Sequence, residues 1–142
     1  MTTLYDTDFY TWTQRQASLL RQGRTDDLDL EHLAEEIESM GKRDRRALGS
    51  HLRNILLHLL KWQFQPALQG PSWRRSIANS RTKIEVILKD SPSLKRESSD
   101  LLSEEYDRAR RLAMRETSLS LDNFPAVCPW TLEQVLDEDF WP

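Results

Sequence analysis

Three histidines, His32, His51 and His58, stand out first in a chain of 142 residues, together with the carboxylates of LAEEIESMG and a single cysteine, Cys128. Imidazoles on facing helices can supply three ligands to an open metal site. The spacing here is not a metal motif. His51 and His58 are seven residues apart, about 10.5 Å along a helix axis, whereas ligands that share one ion sit about 6 Å apart, one turn away. His32 reaches them only if its helix packs antiparallel beside theirs. No metal and no cofactor is expected. In HLLKWQFQP, from His58 to Pro66, the expectation is a structural joint, with His58 hydrogen-bonded to a backbone carbonyl or a glutamine. Trp62, Phe64 and Trp73 then clasp a turn between antiparallel helices, and Gln63 and Gln65 bond backbone groups that Pro66 leaves unpaired.

Glu35, Glu36 and Glu38 stand among apolar positions. Carboxylates do acid/base work only where they converge in a cleft that shifts their pKa values. A solvated face, ion-paired across Gly41 to Arg43, Arg45 and Arg46, accounts for them without chemistry. Glu116 continues the inward stripe of Leu112 and Ala113, so it is expected to be partly buried against the loop around Cys128, accepting hydrogen bonds. His58, Glu35, Glu36 and Glu116 are therefore the candidate polar cluster, with no catalytic role assigned to any of them. Cys128 lies in the apolar run FPAVCPW, which raises a thiol's pKa and dulls it. Glycines 23, 41, 49 and 70 match no nucleotide-binding fingerprint.

Charge is segregated along the chain. Residues 72–96 hold seven Lys or Arg against Glu85 and Asp90, whereas residues 117–142 hold five acids and no base. Arg74, Arg75, Arg81 and Lys83 thus form a candidate basic patch, which is internal if the acidic segment lies across it and available to an acidic partner if it does not. The net charge of −3 and a pI near 5.6 argue against dedicated nucleic-acid binding.

Helical periodicity supplies the elements that must position these groups. Phe9, Trp12, Gln16, Leu19 and Leu20 predict a helix over about 7–22, capped by Asp6 or Thr7 and stopped by Gly23. Leu30, Leu33, Ile37 and Met40 predict a second, opened by Asp29 and ended or kinked at Gly41. Leu48, Leu52, Ile55, Leu56, Leu59 and Leu60 form the widest stripe, on a central helix over about 42–64. After the break QPALQGPS, Ser72 caps a helix that ends near Asp90, and another covers about 94–117. Thr131 and Gln134 form a capping box for a short last helix before an irregular tail. The expectation is an all-α, single-domain bundle of about five helices over residues 1–142, with a short C-terminal helix and an irregular tail. No apolar run is long enough to span a bilayer and MTTLYDTDF is no secretory signal, so the cytoplasm is the simplest address. One cysteine excludes an intrachain disulfide.

YDTDFYTW, QASLLRQG, LDLEHLAEEIESMG, HLLKWQFQP, SWRRSI, SPSL, FPAVCPW and DEDFWP, in that order, resemble the bacterial family called domain of unknown function 29, met mostly in cyanobacteria and proteobacteria. The resemblance spans essentially the whole chain and implies a small all-helical protein with no activity and no catalytic residue to carry over. It also implies a glycine after Glu116 and Thr117, where this chain has Ser118 and Leu119.

For function, the expectation leans away from an enzyme. It is an interaction or adaptor protein acting with an unidentified protein partner or as a homo-oligomer, with aromatic residues near both ends as anchors. One alternative is a metal-binding or enzymatic bundle using His58 and nearby carboxylates. The other is a nucleic-acid-linked regulator, such as a toxin–antitoxin component, using Arg74, Arg75, Arg81 and Lys83.

Overall fold

A computed structural model describes residues 3–142, and every regular element among them is a helix. The α-helices are α1 (Leu4–Thr7), α2 (Phe9–Arg21), α3 (Leu30–Phe64), α4 (Pro71–Asp90), α5 (Lys95–Thr117) and α6 (Leu132–Leu136); Asp8 alone separates α1 from α2, and a single 3-10 turn lies in each later connection. The fold is all-α, as the periodicity requires. The backbone groups into two compact units, Met1–Arg43 and Asp44–Pro142.

In the first unit, α1 is held by a capping box between Thr3 and Asp6, and α2 is capped by Asp8, whose carboxylate accepts from the Thr11 amide at 3.1 Å. The start of α2 is therefore later than the 7–22 expectation, because Asp8 competes better for the free amides than Asp6 or Thr7. Gly23 stops α2 as expected. At φ +69 it lets its own amide reach Leu20 O and the Arg24 amide reach Leu19 O, the two bonds of a Schellman turn. Trp12, Gln16 and Leu19 are buried beneath it.

The expected break at Gly41 is absent, and α3 runs unbroken from Leu30 to Phe64. A mid-helix glycine costs about 1 kcal/mol relative to alanine, which lowers helix stability but does not end a helix whose other residues favour it and which contains no proline. His32, His51 and His58 therefore lie on one helix, not on two as the expected end at Gly41 implied.

The second unit is built on residues 48–60 of α3, where Leu48, Leu52, Ile55, Leu56, Leu59 and Leu60 have no solvent exposure. Contacts fix the helix directions. On α4, Ser80 lies by His51 and Trp73 by Lys61, so α4 is antiparallel to α3. On α5, Glu97 meets Arg45 and Glu116 meets Lys61, so α5 runs parallel to α3. Ile77 and Ile84 from α4, with Leu101, Tyr106, Ala109 and Ala113 from α5, close on the α3 stripe. Ala109 and Ala113 have no exposure, and their small side chains let the backbones approach. Phe124, Trp130 and Val135 seal the remaining side. Each buried Leu, Ile or Phe side chain contributes about 1.5–3 kcal/mol.

Helix α4 begins one residue before Ser72, with Gly70 at the N-cap and Pro71 in the first turn; proline fits there because its missing N–H needs no partner. Helix α5 ends in Ser118, which adopts the left-handed conformation at φ 60. This is the position where the family resemblance implies glycine, the residue that takes that conformation without strain. Ser118→Gly is expected to raise stability by up to about 1 kcal/mol, read as an increase in the urea midpoint.

Candidate functional site

Three of the four residues of the expected polar cluster have a partner outside it. Glu36 accepts a hydrogen bond from the Tyr5 hydroxyl, and Glu35 is solvent-exposed. Glu116 is not tucked against the Cys128 loop as the inward stripe of α5 suggested; its side chain is 46% exposed and pairs with Lys61 Nζ at 3.0 Å. His58 donates from Nδ1 to the carbonyl of Asn54 one turn back, at 2.8 Å. Among the described residues no three His, Cys, Asp or Glu side chains come together as a metal site.

The joint at 58–66 has different fastenings from those expected. Trp62 packs on Trp141, with ring centroids 4.7 Å apart, and Phe64 meets Phe124 edge-on at 5.3 Å. Trp73 lies beneath Lys61 Nζ. The glutamine that satisfies the backbone is Gln69, donating to Trp62 O at 2.8 Å, while Gln63 is exposed.

Of the expected basic patch only Arg81 is internal. Arg81 is only 7% exposed; its Nε donates to Val135 O at 2.9 Å and its Nη2 to Phe140 O at 3.1 Å. Trp141 is within 5.4 Å of both the Arg74 and Arg81 guanidiniums, measured to its ring centroid. The acidic C-terminal segment therefore lies across α4, and only Arg75 and Lys83 of the four point to solvent without a partner among the described residues. Burial pulls the Arg81 guanidinium below its ordinary value, while Asp137 and Glu138 act the other way.

Two constellations escaped the sequence reading. In the first unit, Asp29 Oδ2 accepts from both Trp12 Nε1 at 3.0 Å and His32 Nδ1 at 2.7 Å, while the Asp29 amide donates to Gln16 Oε1. The Tyr5 ring stacks on the His32 imidazole at 4.0 Å. The Glu36 hydrogen bond pushes the Tyr5 hydroxyl up to about 12, so Tyr5 stays protonated at neutral pH. An aspartate that orients an imidazole is half of an acid/base site, but among the described residues no Ser, Thr or Cys hydroxyl or thiol bonds His32. The cluster's chemistry is to fasten the start of α3 to α1 and α2. The i,i+3 spacing of Asp29 and His32 was visible in LDLEH; Tyr5 was not, because α1 is too short to show a period.

In the second unit, Glu105 of α5 is 4% exposed, and its carboxylate accepts from Arg53 at 3.3 Å and from Arg108. It lies against Gly49, where a Cβ atom would meet Glu105 Oε1 at 3.2 Å. The glycine notch is what admits the carboxylate.

The histidines are expected to titrate with opposite signs. Asp29 raises His32 above the ordinary 6.5, chiefly through the side-chain hydrogen bond. Burial lowers both His51 and His58 below it. His32 thus adds stability that is fully present below pH 6.5 and is lost as pH rises through its raised value. His51 and His58 add stability that is present above pH 6.5 and is lost as pH falls through their lowered values. An NMR titration of the three imidazoles should place His32 highest; the reverse order would contradict these contacts.

Cys128 is half-buried, its thiol raised by burial and directed at Trp130 O. No described helix is long and apolar enough to cross a membrane. No curated protein and no solved structure matches the chain. The model of the family described as "Domain of unknown function DUF29" matches residues 4–141, nearly the full length, and the chain belongs to that family.

Proposed function

We propose that this is an interaction protein rather than an enzyme, and that it pairs with a second copy of itself through the solvent face of α3 between Leu30 and Arg43. The observation that carries the reading is an apolar row with no cover: Leu30 and Ile37 are each 67% exposed. Seven residues apart, they share one side of the helix, with exposed Ala34 between them. A single exposed leucine is ordinary. A row at helical spacing is less so, because the neighbouring side of the same segment already has its partners through Asp29, His32 and Glu36.

Charge selects the occupant and its direction. Glu31, Glu35 and Glu36 precede Ile37 and Glu38 follows it directly, whereas Lys42 and Arg43 come five and six residues after it. A parallel pair sets like charges side by side. An antiparallel pair about a two-fold axis near Ile37 brings Glu31 of one copy to Lys42 of the other, on the same flank of the row. The seam is short, so association is expected to be modest and concentration-dependent.

Sedimentation velocity over a concentration series tests the reading. Ile37→Glu changes a side chain that is already exposed, so the fold should survive, and a charge in the seam should weaken association at least tenfold. A wild-type chain that stays monomeric throughout, or an Ile37→Glu variant that associates equally well, overturns it.

A further inference from the structure

We infer that the cleft between α3 and α5 in the second unit binds the phosphate backbone of nucleic acid. It lies apart from the basic residues of α4 that the C-terminal segment covers, and it uses none of the residues of the self-pairing face. The cleft, about 500 Å³, is lined by Arg45, Arg46, Arg53 and Arg108 around Glu104 and Glu105. It continues into a shallower groove of about 420 Å³ lined by Arg53, Arg108, Arg111 and Arg115. Six arginines thus face Glu104 and Glu105, with Glu97 meeting Arg45 at 3.5 Å, in a chain whose net charge is −3. Such a concentration of one sign raises the local potential and draws in the opposite charge.

The arrangement is built rather than scattered. The notch at Gly49 admits the buried Glu105 carboxylate, and that one carboxylate is shared between the Arg53 and Arg108 guanidiniums. It fixes both forks at the cleft while neutralising only one of them, which leaves pre-organised donors of the kind that grip phosphate oxygens. Arg46, Arg111 and Arg115 are exposed and make no hydrogen bond or ion pair among the described residues.

Shape and length point to a chain of phosphates. Arg46 and Arg53 are seven residues apart on α3, as are Arg108 and Arg115 on the parallel α5, and each interval is about 10.5 Å along its axis. Because Arg53 and Arg108 meet at Glu105, the row extends about 20 Å, several times the roughly 3.4 Å per phosphate of a nucleic-acid strand. One phosphate would occupy only a fraction of it. A concave cleft suits a strand better than a flat bilayer. No aromatic side chain lines it, so bases have nothing to stack on and binding rests on the backbone, without sequence preference.

The test is fluorescence anisotropy of the full chain with labelled 20-nucleotide single-stranded DNA, single-stranded RNA and duplex DNA over a salt series. Arg111→Ala/Arg115→Ala removes two exposed, unpaired cations and keeps good helix formers, and circular dichroism verifies the helix content. Expected are binding at low salt to at least one probe, affinity at least tenfold weaker in the double variant, and a shallower log K against log salt slope, by about 1.4–1.8 for two lost contacts. Arg75→Ala/Lys83→Ala, on α4, should leave affinity unchanged. The inference is overturned if no probe binds at low salt, if the double variant binds as well as wild type, or if only anionic lipid vesicles bind.

Discussion

Leu56→Ala is expected to lower the unfolding free energy by about 2–5 kcal/mol, the range seen when a fully enclosed leucine is truncated and its cavity cannot collapse. Leu56 has no solvent exposure, and neither do Leu52, Ile55, Leu59 and Leu60 around it on α3. Side chains of α4, α5 and the segment from Phe124 to Val135 converge on this stripe. Relaxation from any one side is therefore resisted by the others. The comparison is Leu20→Ala, whose side chain is 54% exposed and whose truncation should cost no more than about 0.5 kcal/mol. Urea unfolding followed by helix signal separates the two, and similar midpoint shifts would deny that 48–60 is the hub of its unit.

Arg81→Met is the second large effect, expected to cost about 2–4 kcal/mol. Methionine retains much of the volume but strands the carbonyls of Val135 and Phe140, which Arg81 now bonds at 2.9 and 3.1 Å. Hydrogen bonds from charged donors contribute roughly 1.5–3 kcal/mol each, and buried acceptors left without donors are costly. The guanidinium also lies over the Trp141 ring, 5.4 Å from its centroid. The loss should be local. Amide exchange should accelerate over residues 131–142 and the tryptophan emission should shift to the red, while the α3 core remains protected. Arg81→Lys should not rescue, because a single ammonium lacks the planar fork that reaches two carbonyls.

Much of the helical plan could be read from the chain, because α2, α3, α4 and α5 each carry a 3.6-residue stripe. Asp29, Gly23 and the Thr131–Gln134 capping box act within one turn and were legible for that reason. Gly41 misled: glycine is a breaker only where neighbours also favour a turn, and nothing packs within 4 Å of the place its Cβ would occupy. What connects distant segments was hidden. Arg81 and its two acceptors are separated by 54 and 59 residues, so the covering of the α4 patch had only a charge balance to announce it. That α3 and α5 run parallel is encoded by no periodicity, so nothing in the chain announced that Arg53, Arg108, Arg111 and Arg115 would share one cleft. Glu116 sat on the right stripe but at its edge, where Lys61 offers a partner nearer solvent.

The self-pairing of α3 is most directly tested by cysteine cross-linking in a Cys128→Ser background, which leaves no native thiol. An antiparallel seam centred near Ile37 places that residue beside its own copy and separates the two copies of residue 30 by about 21 Å, twice the seven-residue rise. Under mild oxidation, Ile37→Cys should give a disulfide-linked dimer and Leu30→Cys should remain monomeric. Equal cross-linking at both positions would mean a parallel pair, and none at either would mean that this face meets no second copy; each result contradicts the account.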